Sequence, residues 1–269
     1  MATGAKFFLL LGFFLGTTGA CFAYFRFSSP ILAFYLVLGG IGCGVICLLF
    51  SLLSLFTINK TYIGILVGVL CATAFAYMAF QANKHPINDI STNLEKIPVF
   101  QSKVIIENVK DGQEFIINPK LLKRDYNESF KAIQKVQYPE IFPYKTSLSS
   151  EQAYDFVLKI IKEQYPQWKV VLNDEELKQI EAEKESYFFH FIDDILITVK
   201  SIDETSSEIN MRSRSRDGKS DIGENTKRIL QFFSKLHEIE VSYKKTLPAK
   251  QPIITKPTDT SLVVPNANK

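Results

Sequence analysis

Residues 1–80 contain no aspartate or glutamate and only three basic residues, Lys6, Arg26 and Lys60. No other feature constrains the chain as much. Phe7–Phe25 is an uncharged run of 19 residues, Ile31–Ile58 one of 28 and Thr61–Phe80 one of 20. About 20 mostly apolar residues cross the hydrocarbon core of a bilayer as a helix. The spacing therefore predicts three transmembrane helices over about 7–25, 31–58 and 61–80. Gly12-x-x-x-Gly16 and Gly40-x-x-x-Gly44 offer flat faces where helices approach closely, within the chain or in contact with another membrane protein or a second copy.

"TTGAC" before Phe22 resembles a lipoprotein cleavage site centred on Cys21, but Thr18 stands where an aliphatic residue is usual. The apolar run also continues past the cysteine, so the reading keeps it as a helix. Lys6 and Lys60 on one side against Arg26 and Lys84 on the other tilt the orientation toward an internal N-terminus and an external downstream domain. The spans carry no ionisable residue beyond tyrosine and cysteine, which argues against a proton relay. All four cysteines (Cys21, Cys43, Cys47, Cys71) fall in the spans, and their expected role is packing between helices.

The 28 acidic residues all lie after residue 80, as do 28 of the 31 lysines and arginines. A neutral domain gives no footing for a nucleic-acid partner, which needs positive charge gathered on one face. Gln81–Phe100, with Pro86 and Pro98, reads as an extended connector. "KVIIENV" and "EFIIN" around "KDGQ" predict a hairpin over 103–117, and residues 119–137 a basic, helical stretch.

From Tyr144 the pattern becomes that of a compact core. Tyr144–Leu148 reads as a strand, and Ser149 or Ser150 caps a helix reaching Gln164. "WKVVLND", "KQIEAEKES", Tyr187–Lys200 and Ser207–Arg216 read as strands, and Asp221 opens a helix to about His237 whose buried side includes Ile222. The tail from Leu247 lacks a core pattern and is expected to be disordered. The order β-α-β-β-β-β-α predicts an antiparallel sheet with two helices on one face, an α+β domain behind a three-helix anchor.

"MRSRSRDGKSDIGENTKRIL", residues 211–230, carries the most chemistry. Side chains alternate along a strand, so Arg212, Arg214 and Arg216 share one face. A turn near Glu204 sets Asp194 opposite Arg214, with the other two arginines on the diagonals, as ion pairs on an outer face. Asp193 shares the inward side with Ser213 and Ser215, where a carboxylate needs donors. The two hydroxyls, the Gly218–Ser220 amides and Arg228 are available. Asp221-x-x-Glu224 has the form of a capping box, and Gly223 in the first turn requires a local reason.

Several functions compete with this structural role. Arg212, Arg216, Lys219 and helix-start amides suit a phosphate or lipid headgroup, although Asp221 and Glu224 oppose an anion. Ser213 or Ser215 with His190 and Asp194 composes a hydrolase on paper, without a nucleophile-elbow pattern. His85, Asp89, His190 and His237 have no ligand spacing for a metal. Tyr187, Phe189 and Phe191 fall on a sheet's buried face or line an apolar pocket.

Residues from about 85 to 238 resemble the bacterial domain-of-unknown-function family 1499. The resemblance rests on Phe191-x-Asp193-Asp194 and on Arg212-Ser213-x-Ser215-Arg216-x-Gly218-x-Ser220-Asp221-x-Gly223-x-Asn225-x-x-Arg228-Ile229. Arg214 falls at a position usually held by a smaller residue, and His85–Asn93 replaces a cysteine-containing segment. The resemblance implies no established activity. It implies an envelope setting, hence a multi-pass protein of the bacterial inner membrane with a periplasmic domain.

The expected function is binding of a membrane lipid, an anionic headgroup or a protein partner, with no cofactor or metal. The rival readings are a hydrolase acting on lipid or cell-wall material and a structural subunit of a membrane complex. The candidate ligand-binding residues are Asp193, Asp194, Arg212, Arg216, Ser220, Asp221, Asn225, Arg228, Tyr187 and Phe189.

Overall fold

The computed structural model of the protein describes residues 1–108, 126–218 and 220–246. Three apolar helices come first: α1 (Ala2–Phe25), α2 (Pro30–Ser54) and α3 (Tyr62–Lys84), each long and apolar enough to cross a membrane. Pro30 occupies the first turn of α2, where its missing N–H costs nothing. Helix α2 lies between α1 and α3, and glycine brings the backbones together. A Cβ on Gly12 would stand 2.9 Å from the Gly40 carbonyl oxygen, and one on Gly40 would stand 2.8 Å from that of Gly12. One on Gly44 would overlap the Cys71 sulfur. These glycines close the bundle from within.

Two elements depart from expectation just after the membrane. β1 (Asp89–Ser91) is a strand inside what reads as a connector, antiparallel to the later strand Ser207–Ser215. "KVIIEN" is not the first arm of a hairpin but a short helix, α4 (Lys103–Asn108). The Glu181 carboxylate accepts the backbone N–H groups of Gln101 (2.6 Å) and Ser102 (3.0 Å), which aims the chain ahead of α4. Ile105 then packs with Phe100 and Leu196 above the sheet rather than along its edge. The second arm of the expected hairpin, the start of the basic stretch, Lys219 and the tail from 247 lie outside the described residues. The remainder of the basic stretch is α5 (Tyr126–Gln137).

The domain continues as β2 (Tyr144–Thr146), α6 (Ser150–Gln164), β3 (Trp168–Asp174), β4 (Gln179–Glu185), β5 (Ile192–Ser201), β6 (Ser207–Ser215) and α7 (Glu224–Thr246). All pairs are antiparallel in the order β1-β6-β5-β4-β3, and β2 also joins β6. Ser149 caps α6, accepting the Gln152 N–H while the Gln152 side chain accepts the Ser149 N–H. The shared core joins Ile195, Ile197, Val199, Ile209 and Met211 of the sheet to Val157, Ile160 and Ile161 of α6 and Ile229, Phe232 and Leu236 of α7. Each fully buried aliphatic or aromatic side chain contributes about 1.5–3 kcal/mol. The α+β domain is thus a sheet with α6 and α7 on one face, behind a three-helix anchor.

Two boundaries shift. The aromatic residues expected at the start of β5 instead form a reversal between β4 and β5. Ser186 accepts the His190 N–H (3.2 Å), exchanges hydrogen bonds with Phe191, and leaves His190 at φ +62°. Tyr187 and Phe189 are therefore off the sheet, contrary to the alternation pattern. Ile222, at φ +57° and exposed, precedes α7 instead of joining its buried side, and α7 extends nine residues past His237 to Thr246.

Candidate functional site

The register pairs Asp194 with Arg214 and Asp193 with Ser215, as a turn centred on Glu204 requires. The candidate residues consequently divide between two faces of the sheet. On one face Arg214 Nη2 donates to Asp194 (2.9 Å), and Arg216 donates to Asp194 (2.7 and 2.9 Å) and to Glu183 (2.6 Å). Burial alone would push the Glu183 carboxyl up. Arg216 and Lys169 outweigh burial and hold it below the usual range.

Arg212 departs from the diagonal ion pair. Its Nε and Nη2 grip Asp89 of β1 at 3.0 and 2.8 Å, its Nη1 donates to the Pro98 carbonyl (2.8 Å), and Phe100 lies under it at 5.1 Å. The face is not the open outer face that the alternation suggests. Asp194 is fully buried and Arg212 is 2% exposed, because residues 98–105 cross over them.

The other face holds the join between β6 and α7. Arg228 Nη2 donates to Asp193 (2.5 Å), while Nη1 donates to Ser213 Oγ (2.6 Å) and Asn225 Oδ1. Asn225 Nδ2 donates to Ser215 Oγ and to the Asn88 carbonyl, and Asn88 Nδ2 donates to the Gly218 carbonyl at 2.8 Å. Asp221 caps α7, accepting the N–H groups of Gly223 (2.9 Å) and Asn225 (2.5 Å). Ser220 accepts the Ile222 N–H. Burial raises the Asp221 carboxyl above its ordinary value, Asp193 adding to the shift, although the two capping amides oppose it.

Gly223, at φ +87°, finds its reason here. A Cβ at that position would sit 2.8–2.9 Å from the ring of His85, which stacks on Tyr138 and hydrogen-bonds its hydroxyl at 3.0 Å. Burial, reinforced by Asp221, pushes the Tyr138 phenol up to about 12, so it keeps its proton at neutral pH. Gly223→Ala adds left-handed strain to this clash, and a loss of about 1–3 kcal/mol is expected. Thermal unfolding of the detergent-solubilised protein measures it; an unchanged midpoint would show that His85 yields freely.

The structure therefore joins Asp193, Asn225 and Arg228, sets Asp221 and Ser220 beside them, and sends Asp194, Arg212 and Arg216 to the opposite face. Asn88, Asp89 and His85 complete the arrangement and were not among the candidates. Asp89 is the carboxylate that an arginine as buried as Arg212 needs, but that burial is not announced by any local pattern, and Asn88 and His85 carried no signal of their own. The hydroxyls of Ser213 and Ser215 are engaged with Asn225 and Arg228, and His190 with Glu185, so these bonds do not compose the hydroxyl–imidazole pair of a serine hydrolase.

The profile of a family described as Protein of unknown function (DUF1499) matches residues 89–236, more than half of the chain. The chain belongs to this family. The DUF1499 match begins at Asp89, the residue that grips Arg212, and ends in α7, so it takes in both faces just described. No curated protein matches the chain.

Beside the join a cleft of about 270 Å³ lies between the DUF1499 domain and the membrane anchor. Its apolar side is made by Ile31 and Phe34 of α2 with Phe191, whose ring lies 5.9 Å from that of Phe34. Its polar side is made by Ser215, Asp217, Ser220, Asp221 and Glu224 of the β6–α7 turn, together with Asp193 and Lys184. Among the described lining residues four are acidic (Asp193, Asp217, Asp221, Glu224) and one is basic (Lys184). Arg228 neutralises one of the four from behind.

Proposed function

We propose that the protein is a binding module of the bacterial inner membrane whose cleft takes an amphiphile bearing an amine or another cationic group. The expected anionic headgroup gives way to this one. The observation that carries the reading is the pairing, in one cleft, of an apolar wall from a membrane helix with an acidic wall from the β6–α7 turn. Arg212 and Arg216, which would have drawn an anion, point into the opposite face and are engaged there. An external, periplasmic domain agrees with the distribution of basic residues around the spans and with the envelope setting of the family.

The test is retention of lipid by the full chain in neutral maltoside micelles, read by native mass spectrometry. Phosphatidylethanolamine should be held in preference to phosphatidylglycerol, and Asp217→Asn with Glu224→Gln should weaken retention several-fold. Preference for the anionic lipid would overturn the reading. Retention should also depend on pH. Burial holds the Asp221 carboxyl above its ordinary value, so its charge, and with it part of the attraction for an amine, is fully present only at pH above that raised value. As pH falls through that raised value the charge is lost, and retention should fall before exposed carboxylates titrate.

A further inference from the structure

The reversal between β4 and β5 presents aromatic rings that the sheet does not use. Tyr187 is 97% exposed and Phe188 45%, side by side at its tip. The reversal is held rigidly by the Ser186–Phe191 bonds, so these rings stand at a fixed place relative to their neighbours. That place is set by the membrane anchor. Phe189 packs edge-on against Phe34 at 5.4 Å, and Glu185 pairs with Arg26 at the α1–α2 connection. Phe34 lies four residues into α2, about 6 Å along the helix from Pro30 at 1.5 Å per residue. The rings that touch it, Phe189 and Phe191, therefore lie about one turn in from the start of a transmembrane helix, and Phe188 packs on Phe189 in turn.

Exposed aromatic residues already mark that level on the anchor: Tyr24, Phe25, Phe27 and Tyr35. Tyrosine and phenylalanine at this depth sit with an apolar body toward the acyl chains, and tyrosine keeps its hydroxyl toward water. We infer that Tyr187 and Phe188 form a membrane-embedded wedge, seated in the interfacial zone of the leaflet from which the α1–α2 connection emerges. The wedge extends the aromatic belt of the anchor onto the DUF1499 domain. The partner is the lipid surface itself, and the inference holds whether or not the cleft has a ligand.

Tyr187→Trp in the full chain, reconstituted in phosphatidylcholine vesicles containing lipid brominated near the glycerol end, reads the depth directly. Wild-type emission, from Trp168 buried in the core, provides the baseline. Leu177→Trp provides a water-exposed reference, because the β3–β4 turn lies at the opposite end of the sheet. Emission from the indole introduced by Tyr187→Trp should be quenched by brominated lipid at least twofold more than emission from the one introduced by Leu177→Trp. It should be quenched correspondingly less by aqueous acrylamide. Equal acrylamide quenching at the two positions would overturn the wedge. So would insensitivity of the indole in the Tyr187→Trp variant to both quenchers, which would mean that protein rather than lipid covers the turn.

Discussion

Replacing Arg228 with methionine is expected to destabilise the domain by about 3–5 kcal/mol, the typical result of removing one partner from a buried ion pair. Arg228 is 6% exposed and Asp193 7%, so water compensates either of them poorly once the other is gone. The substitution also takes donors from Ser213 Oγ and Asn225 Oδ1, loosening the residues that fasten α7 to β6. The measurement is the free energy of unfolding of the domain in the detergent-solubilised full chain, followed by tryptophan emission. Asp193→Asn combined with Arg228→Met should cost clearly less than the single Arg228 change, because no carboxylate is then stranded. A single-variant loss below about 1 kcal/mol would show that Asp193 does not depend on Arg228.

Asp89→Ala should produce a loss of similar size, about 3–5 kcal/mol, for the reciprocal reason. Here the cation is the residue left behind. Arg212 would keep the Pro98 carbonyl and the Phe100 ring, but no longer the two carboxylate oxygens that match its fork. Asp89→Asn, which retains an acceptor oxygen, should cost less than alanine. Converting the pair to Asp89→Leu with Arg212→Met should restore much of the loss, since buried pairs are often replaceable by apolar residues of similar volume. If alanine and asparagine behave alike at under about 1 kcal/mol, the bidentate geometry is not what holds β1 to β6.

Strand parity was the most reliable guide in the sequence. It placed Asp194 opposite Arg214 and put Asp193 on the helix side with the two serines, because period-two alternation leaves no freedom once the turn position is known. The same rule misled at Tyr187 and Phe189, where alternating aromatic residues imitate a strand. The reversal there depends on bonds between Ser186, His190 and Phe191, which no local pattern announces.

Burial of the arginine face was also illegible. It comes from residues 98–105, which meet the sheet through Glu181, Gln179 and Leu196, all distant in sequence. β1 escaped notice because three residues beside a proline-bearing connector carry almost no propensity signal; pairing with β6 makes them a strand. The cleft was out of reach for a further reason. One wall belongs to a membrane helix and the other to a turn far along the chain, so neither half looks like a pocket alone.

Helix α3 ends at Lys84 and β1 begins at Asp89, and the four residues between are not idle. His85 rests on Gly223, and Asn88 holds Gly218 and Asn225. The consequence is mechanical. A domain on a loose tether would swivel above the bilayer, whereas this one has no slack at its point of exit. Four residues are all that separate the end of α3 from the sheet, and two of them, His85 and Asn88, are in contact with the turn that lines the cleft.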